Sequence, residues 1–303
     1  LWPDTLFLEI DDRQGPTKKT RQMNRKDRIK LSFTRNWKLP GKERLAAWLK
    51  PSAQLKTVLE NGLIWLTDEP IAIYTSANSY IEYCILSQGT YEDEIGKLIY
   101  VSLQPGFTAL DIGANIGLQS LRMSLAVGEG GKVYAFEPLL HLQDKFTKNM
   151  QLNQVTNVTL FPFALADVNA EEDFKIDKNA WNQGTFALSD KVSGDHTQRV
   201  QIKVADELDC IKNLEQLDFI KIDVEGFEFK VLQGLQKTLA LHKPRILFEY
   251  DSNYWLRAGT NLTECYHYLK GLNYKFYQVT SVGCASITDV NAIESGNILC
   301  ISY

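Results

Sequence analysis

The chain is poor in the residues that build metal centres and disulfide frameworks. Its four histidines include no ligand-spaced pair. Its five cysteines (Cys84, Cys210, Cys265, Cys284, Cys300) are scattered, odd in number and form no Cys-x-x-Cys pair. A zinc knuckle and a disulfide-stapled fold are therefore excluded. No metal is expected, although an all-carboxylate magnesium site stays open. Reduced thiols predict a cytoplasmic location. No apolar run reaches the roughly 20 residues of a membrane-spanning helix. Residues Leu1-Trp2-Pro3-Asp4 show no basic segment leading into an apolar core, so no secretory signal is expected there. The sequons Asn157-Val-Thr159 and Asn261-Leu-Thr263 are read as accidental.

What is present is an ordinary globular composition, 44% hydrophobic and 23% charged over 303 residues. That is enough for one large α/β domain with an N-terminal extension. Charge is unevenly spread: Arg13 to Lys50 holds 13 Lys or Arg against Asp27 and Glu43, on a chain of formal net charge −4. Such an arm can meet an anionic partner, but a basic run is a weak signal for nucleic acid, and a solvated or self-wrapped arm is the preferred reading.

Lys42–Lys50 reads as a short helix ending at Pro51. The apolar runs Gly62–Leu66, Ile71–Tyr74 and Ile81–Leu86 read as a small β-rich lead-in. These fill residues 1–86, the extension. From about residue 87 the pattern becomes alternating strands and helices, which predicts a Rossmann-like, seven-stranded, mostly parallel sheet with helices on both faces. Strands are expected at Ala109–Ile112, Val133–Phe136, Val158–Phe161, Phe219–Asp223 and Ile246–Tyr250, with a closing pair at Tyr274–Val279 and Ile298–Ser302. Helices are expected at Ile116–Ala126, His141–Leu152, Phe229–Leu239 and Leu262–Lys270. A polar insert from Asp167 to about Arg199 reads as a hairpin or lid.

Three strand ends carry chemistry. In Leu110-Asp111-Ile112-Gly113-Ala114-Asn115-Ile116-Gly117 an apolar strand runs through a glycine turn into a helix. Gly113 and Gly117 are expected to let the backbone approach a ligand and to supply dihedrals closed to other residues. Asp111 at the mouth of that turn repels phosphate and attracts an ammonium group, which favours S-adenosylmethionine over a dinucleotide. Val133-Tyr-Ala-Phe-Glu137 ends in a carboxylate twenty residues after Gly117, the spacing at which an acid meets ribose hydroxyls. Phe219-Ile-Lys-Ile-Asp-Val-Glu225-Gly226 ends in two carboxylates at the sheet edge where α/β folds bind ligands. Asp223, with Glu225 second, is the candidate to orient or deprotonate an acceptor hydroxyl. Helix capping is an equal reading for Glu225.

The ordered set of motifs resembles the FkbM family of methyltransferases. The pieces are Gly89-Thr-Tyr-Glu92, Asp111–Gly117, Ala135-Phe-Glu-Pro138, Asn149, Leu152-Asn153, Asn157-Val158, Ala164-Leu165, Lys221–Gly226 and Phe248-Glu249. The resemblance implies O-methylation of a sugar, polyketide or similar hydroxylated small molecule. It also implies cofactor contacts from Asp111, Gly113, Asn115, Glu137 and the Ala164 region, with Tyr91 and Glu92 closing over the cofactor or equally serving the structure. Glu249, at the same sheet edge, and Trp181 in the insert are candidates to face the acceptor, or equally to serve packing. Residues 1–86 lie outside the resemblance.

Two rival readings remain. A short-chain reductase would share the sheet and the ribose acid, and Tyr266-x-x-x-Lys270 with Ser252 upstream imitates its catalytic spacing. The third glycine of Gly-x-Gly-x-x-Gly is absent, however. A methyltransferase-like scaffold without turnover is the other. A nucleic-acid amino-methylating enzyme is disfavoured because Asp223-Val-Glu-Gly226 departs from the Asp-Pro-Pro-aromatic pattern.

Overall fold

In the computed structural model the described residues are 25–35, 62–65, 69–75, 79–176 and 196–303. They divide between two compact units. One holds the described residues up to Asp93 together with Gln151–Asn153; the other holds Glu94–Met150, Gln154–Ile176 and those of Phe186–Tyr303.

The first unit contains a helix at Arg25–Arg35, which the sequence pattern does not announce, and an antiparallel hairpin of β1 (Gly62–Trp65) and β2 (Ala72–Thr75). Asn153 joins it by accepting from Ala72 N at 2.9 Å and donating to Ala72 O at 2.7 Å. The third apolar run is a helix, Tyr80–Gln88, and not the strand expected. Ser79 caps it by accepting from Glu82 N, and Gly89 closes it at φ 80° with its N–H on Ile85 O. These capping signals decide the outcome, because a segment buried on nearly every side shows no helical periodicity. The expected helix at Lys42–Lys50 lies outside the described residues.

The second unit is the expected α/β fold. β3 (Thr108–Ile112), β4 (Lys132–Phe136), β5 (Val158–Phe161), β9 (Phe219–Ile222) and β10 (Arg245–Asp251) run parallel. β13 (Ser295–Ser302), β11 (Tyr274–Thr280) and β12 (Gly283–Ser286) continue antiparallel, in the order β12-β11-β13-β10-β9-β3-β4-β5. Eight strands replace the seven expected because the short run after Thr280 folds back on β11 as an edge hairpin. β3 and β9 are buried at every residue, as parallel strands covered on both faces require. Their alternate side chains feed two cores. Leu110, Ile112, Ile220 and Ile222 enter one, while Ala109 and Phe219 enter the other.

The insert begins and ends as a hairpin, β7 (Ala170–Ile176) against β8 (His196–Val204), with β6 (Ala164–Ala166) parallel to β8 in a second small sheet. The expected helix Phe229–Leu239 is broken into Glu228–Gly234 and Gln236–His242. A Cβ at Gly234 would lie 2.1 Å from Ala166 O, so glycine is required where the helix meets β6. The Asp206 carboxylate then caps the second segment through Lys237 N and Thr238 N.

Both sequon asparagines are engaged. Asn157 donates to Ser124 O and Gly128 O, and Asn261 caps the helix Leu262–Gly271. All five cysteines are free thiols. No helix among the described residues is long and apolar enough to cross a membrane.

Candidate functional site

Sheet order places the C-terminal ends of β3, β9 and β10 side by side. The register sets Lys221 beside Asp111 on one side and Leu247 on the other. Residues in register share a face and period two repeats it. Asp111, Lys221, Asp223 and Glu249 therefore belong to one face at one end of the sheet.

The turn after β3 is fixed from several directions. Gly113 N and Ala114 N both donate to Phe136 O, Asn149 donates to Ile116 O at 2.8 Å, and Asn115 sits left-handed at φ 51° with its own Oδ1 on Ile116 N. Gly113 and Gly117 have φ of 83° and 88°. The space beside each is filled by protein. A Cβ at Gly113 would lie 1.9 Å from Asp223 O, and one at Gly117 would lie 2.7 Å from Met150 Cε and 2.8 Å from Phe146 Cδ2. The expected left-handed dihedrals are present, and the absence of a side chain also lets two loops and a helix close on one another.

Asp111 is fully buried. Its Oδ2 accepts from Ser120 Oγ at 2.5 Å, while Oδ1 has no partner among the described residues. Burial raises its proton affinity above the ordinary carboxylate range against the pull of Lys221 and Ser120. Glu137, 3% exposed, accepts from Asn115 N at 2.9 Å through Oε2 and from Leu139 N at 3.0 Å through Oε1. Burial pushes it up to about 7, the two backbone bonds working the other way. The expected ribose acid is therefore also a staple for the turn it faces, with lone pairs left over on each oxygen. Gln198 of β8 clamps the next residues, donating to Pro138 O and accepting from Leu140 N.

The loop after β9 is organised by a residue the sequence reading missed. Glu228, wholly buried, accepts from Val224 N at 2.9 Å and from Gly226 N at 3.0 Å. Burial raises it to about 7. An acid in the first turn of a helix was the available signal. Glu225 adopts φ 56° and Gly226 φ 106°, and a Cβ at Gly226 would lie 2.7 Å from the Tyr254 carbonyl. A non-glycine residue held left-handed is costly and is found where the surroundings enforce it.

Lys221, 5% exposed, ion-pairs with Asp223 through Nζ to Oδ2 at 3.0 Å. It too was quoted only as part of a motif, although a cation inside an apolar strand announces a buried partner. Burial would raise Asp223, but the Lys221 charge and the hydrogen bonds from Lys221 and Glu249 outweigh it and leave it below the usual value. Glu225 goes the other way, up to about 8, through burial and the charges of Asp223, Glu228 and Asp251.

The structure thus gathers Asp111, Glu137, Asp223, Glu225 and Glu249 around one end of the sheet. Ala164 begins β6 and pairs with Ile202. Tyr91 and Glu92 lie in the first unit, and Trp181 lies outside the described residues. Among the described residues no group of three or more His, Cys, Asp or Glu is arranged to hold a metal ion. Tyr266 and Lys270 form a helix-surface pair, Nζ to OH at 3.2 Å, with the Tyr266 ring packed on Phe276.

Five parallel strands extended by three antiparallel-paired ones, with acids at the strand ends flanking the glycine turn, define the class I methyltransferase fold. Residues 111–276 match the model of the FkbM methyltransferase domain. The chain belongs to the FkbM family of methyltransferases, whose methyl donor is S-adenosylmethionine. The nicotinamide reading is not supported.

Among its relatives are Methyltransferase 1 of Beauveria bassiana, 29% identical over 143 residues covering 42% of this chain and 57% of that protein, and the hexuronic acid methyltransferase AglP of Haloferax volcanii, 27% identical over 148 residues covering 49% and 58%. The chain spans a little over half the length of both. A solved FkbM methyltransferase from Methylobacillus flagellatus aligns at 14% identity and a TM-score of 0.42 over 73% of this chain and 54% of that one.

The residues present fit the methyl donor. A buried carboxylate oxygen without a donor, Asp111 Oδ1, is costly, and the ammonium of an amino acid is the kind of group that relieves it. A phosphate would be repelled by Asp111 and Glu137 where these are ionised.

Proposed function

We propose that the chain transfers the methyl group of S-adenosylmethionine to a hydroxyl oxygen of a sugar or similarly hydroxylated small molecule. The observation that carries this reading is the pair Asp223 and Glu225, two residues apart and pushed in opposite directions, one low and one up to about 8. Environments that split two carboxyl groups mark a division of labour.

The bound donor supplies a methyl carbon activated by a positively charged sulfur. Asp111 would hold its ammonium and Glu137 its ribose hydroxyls, while the Asn115 turn keeps Glu137 aimed. Asp223, with 29% of its side chain exposed, accepts the hydrogen bond of the acceptor hydroxyl and sets its direction. Methyl transfer would need the hydroxyl held in one direction, so this orientation would be the main contribution of Asp223. Glu225, ionised above about pH 8, takes the hydroxyl proton as the oxygen gains its methyl group. Support for a sugar acceptor comes from the relative named for hexuronic acid. The basic arm is assigned no nucleic-acid partner.

The test supplies methyl-labelled S-adenosylmethionine with a panel of methyl glycosides, uronic acids, simple alcohols and amines, and identifies the product by NMR. An O-methyl glycoside is expected, with a rate rising through about pH 8 that Glu225→Gln flattens. Transfer to nitrogen alone, or no transfer to any hydroxyl, overturns the reading.

A further inference from the structure

The helix Arg25–Arg35 of the first unit has no role in the scheme above, yet its sides differ in a way that folding alone does not require. Leu31 and Thr34, three residues apart, are buried, and the helix packs against Tyr80–Gln88. The Thr34 hydroxyl is satisfied within the helix, against Lys30 O and Leu31 O at 3.1 Å. Lys26, Ile29, Lys30 and Phe33 are exposed. Their spacing of i, i+3, i+4 and i+7 sets them along one stripe. Ile29 is 59% exposed and Phe33 52%. The stripe therefore shows water two large apolar side chains one turn apart, interleaved with lysines.

The same helix holds five Lys or Arg against Asp27 alone, inside the run Arg13–Lys50 with its 13 Lys or Arg against Asp27 and Glu43. Charge and apolar exposure together narrow the occupant. A second copy of the helix would bring like charges face to face. A nucleic-acid backbone would use the lysines but leave the Ile29 side chain in water. An anionic lipid surface uses both kinds of residue. Its headgroups attract the ammonium groups, and the apolar side chains leave water just beneath them. Lysine stems lie along apolar surface while their charged ends stay at the headgroups.

We propose that the helix Arg25–Arg35 is a docking surface for a membrane that carries anionic lipid. Ile29 and Phe33 enter the boundary between headgroups and acyl chains, and Lys26 and Lys30 meet the headgroup anions. The helix lies flat on the surface, because the stripe runs along its length. Attachment is reversible and needs both signals, since two apolar side chains or a patch of charge alone holds a protein poorly. Nothing in this docking depends on the methyl donor or the acceptor.

The test is co-sedimentation of the whole chain with vesicles of phosphatidylcholine alone and of phosphatidylcholine with about one third phosphatidylserine. Binding to a single-stranded RNA is measured beside it. The unmodified protein should bind the phosphatidylserine vesicles about tenfold or more tightly than the neutral ones. It should lose most of that preference when salt is raised from about 0.1 M to about 0.5 M. Ile29→Gln with Phe33→Gln keeps every charge and should lower vesicle binding about tenfold or more. Lys26→Gln with Lys30→Gln should lower it by a smaller factor and weaken the salt dependence.

Binding to neither vesicle, equal binding to both, or binding indifferent to the Ile29 and Phe33 changes overturns the proposal. So does RNA binding that depends on Phe33 while vesicles stay unbound. If the apolar double variant does not fold, hydrogen exchange on the unmodified protein decides. The Arg25–Arg35 amides should exchange more slowly with phosphatidylserine vesicles, and unchanged exchange there in the vesicle-bound protein overturns the proposal.

Discussion

The loops that follow β3 and β9 solve the same local problem with different economies. Each must hold left-handed residues at the end of a buried strand, Gly113, Asn115 and Gly117 in one, Glu225 and Gly226 in the other. Each does so with a buried carboxylate that gathers backbone N–H groups. After β3 that carboxylate is Glu137, which arrives from the neighbouring strand and is also the candidate for the donor's ribose. After β9 it is Glu228, supplied by the next helix, beside Asp223 and Glu225, the acids proposed to face the acceptor. On the proposed assignment one loop fuses scaffold and ligand recognition in a single side chain, and the other separates them. The consequence is that substitutions in the first cannot be read as binding effects alone, whereas those in the second can be sorted.

The harshest way to break the comparison is to strike where the two loops meet. Gly113→Ala puts a Cβ 1.9 Å from a main-chain oxygen at a φ of 83°. It should cost about 3 kcal/mol or more, or abolish cooperative unfolding, as followed by denaturant melts. A cost below about 1 kcal/mol would mean the loops are not held together there.

Glu137→Gln sharpens the fused case. Its amide nitrogen cannot accept from Asn115 N or Leu139 N, so stability and S-adenosylhomocysteine binding should fall together, the latter about tenfold or more by calorimetry. A stability loss with unchanged affinity would leave Glu137 a staple only.

Glu228→Gln should show the separated case, with homocysteine-nucleoside affinity unchanged within about twofold and stability lowered by about 1 kcal/mol at pH 5.

A further effect is in the pH profile. Glu228, raised from 4.5 to about 7 when folded, contributes stability that is complete below about pH 4.5 and lost as pH rises through about 7. Each unit of separation is worth about 1.4 kcal/mol. Melting temperatures of the unmodified protein should decline across that window, and Glu228→Gln should flatten part of the decline. A profile that rises with pH there would reverse the assigned sign.

Much of this was legible before any coordinates. Val133–Phe136 and Val158–Phe161 stand within a residue of where periodicity placed them, and the acids Asp111, Glu137 and Asp223 each lie within a residue of the C-terminal end of their strand. The errors have physical causes. Ile81–Leu86 is buried nearly all round, so its apolar run carried no helical period, and only Ser79, Glu82 and Gly89 spoke for a helix. The Phe229–Leu239 break depends on how closely Gly234 approaches Ala166 O, a tertiary fact. Glu228 and Lys221 acquire their meaning from partners chosen by strand pairing, and the side-chain directions that fill the space beside Gly113 and Gly117 are invisible in a linear pattern.

The pairing of β3 with β9 has a further consequence, seen as the chain is made. Thr108 N on β3 bonds the Asp218 side chain just before β9, 110 residues later. A nascent chain therefore presents β3 and its β4 neighbour with one edge open while the helices and the hairpin between are still being synthesised. Contacts so distant in sequence close slowly, and an unpaired buried-type strand is adhesive in the meantime. A truncation ending before Phe219 should be insoluble, whatever fraction of the upstream motifs it retains.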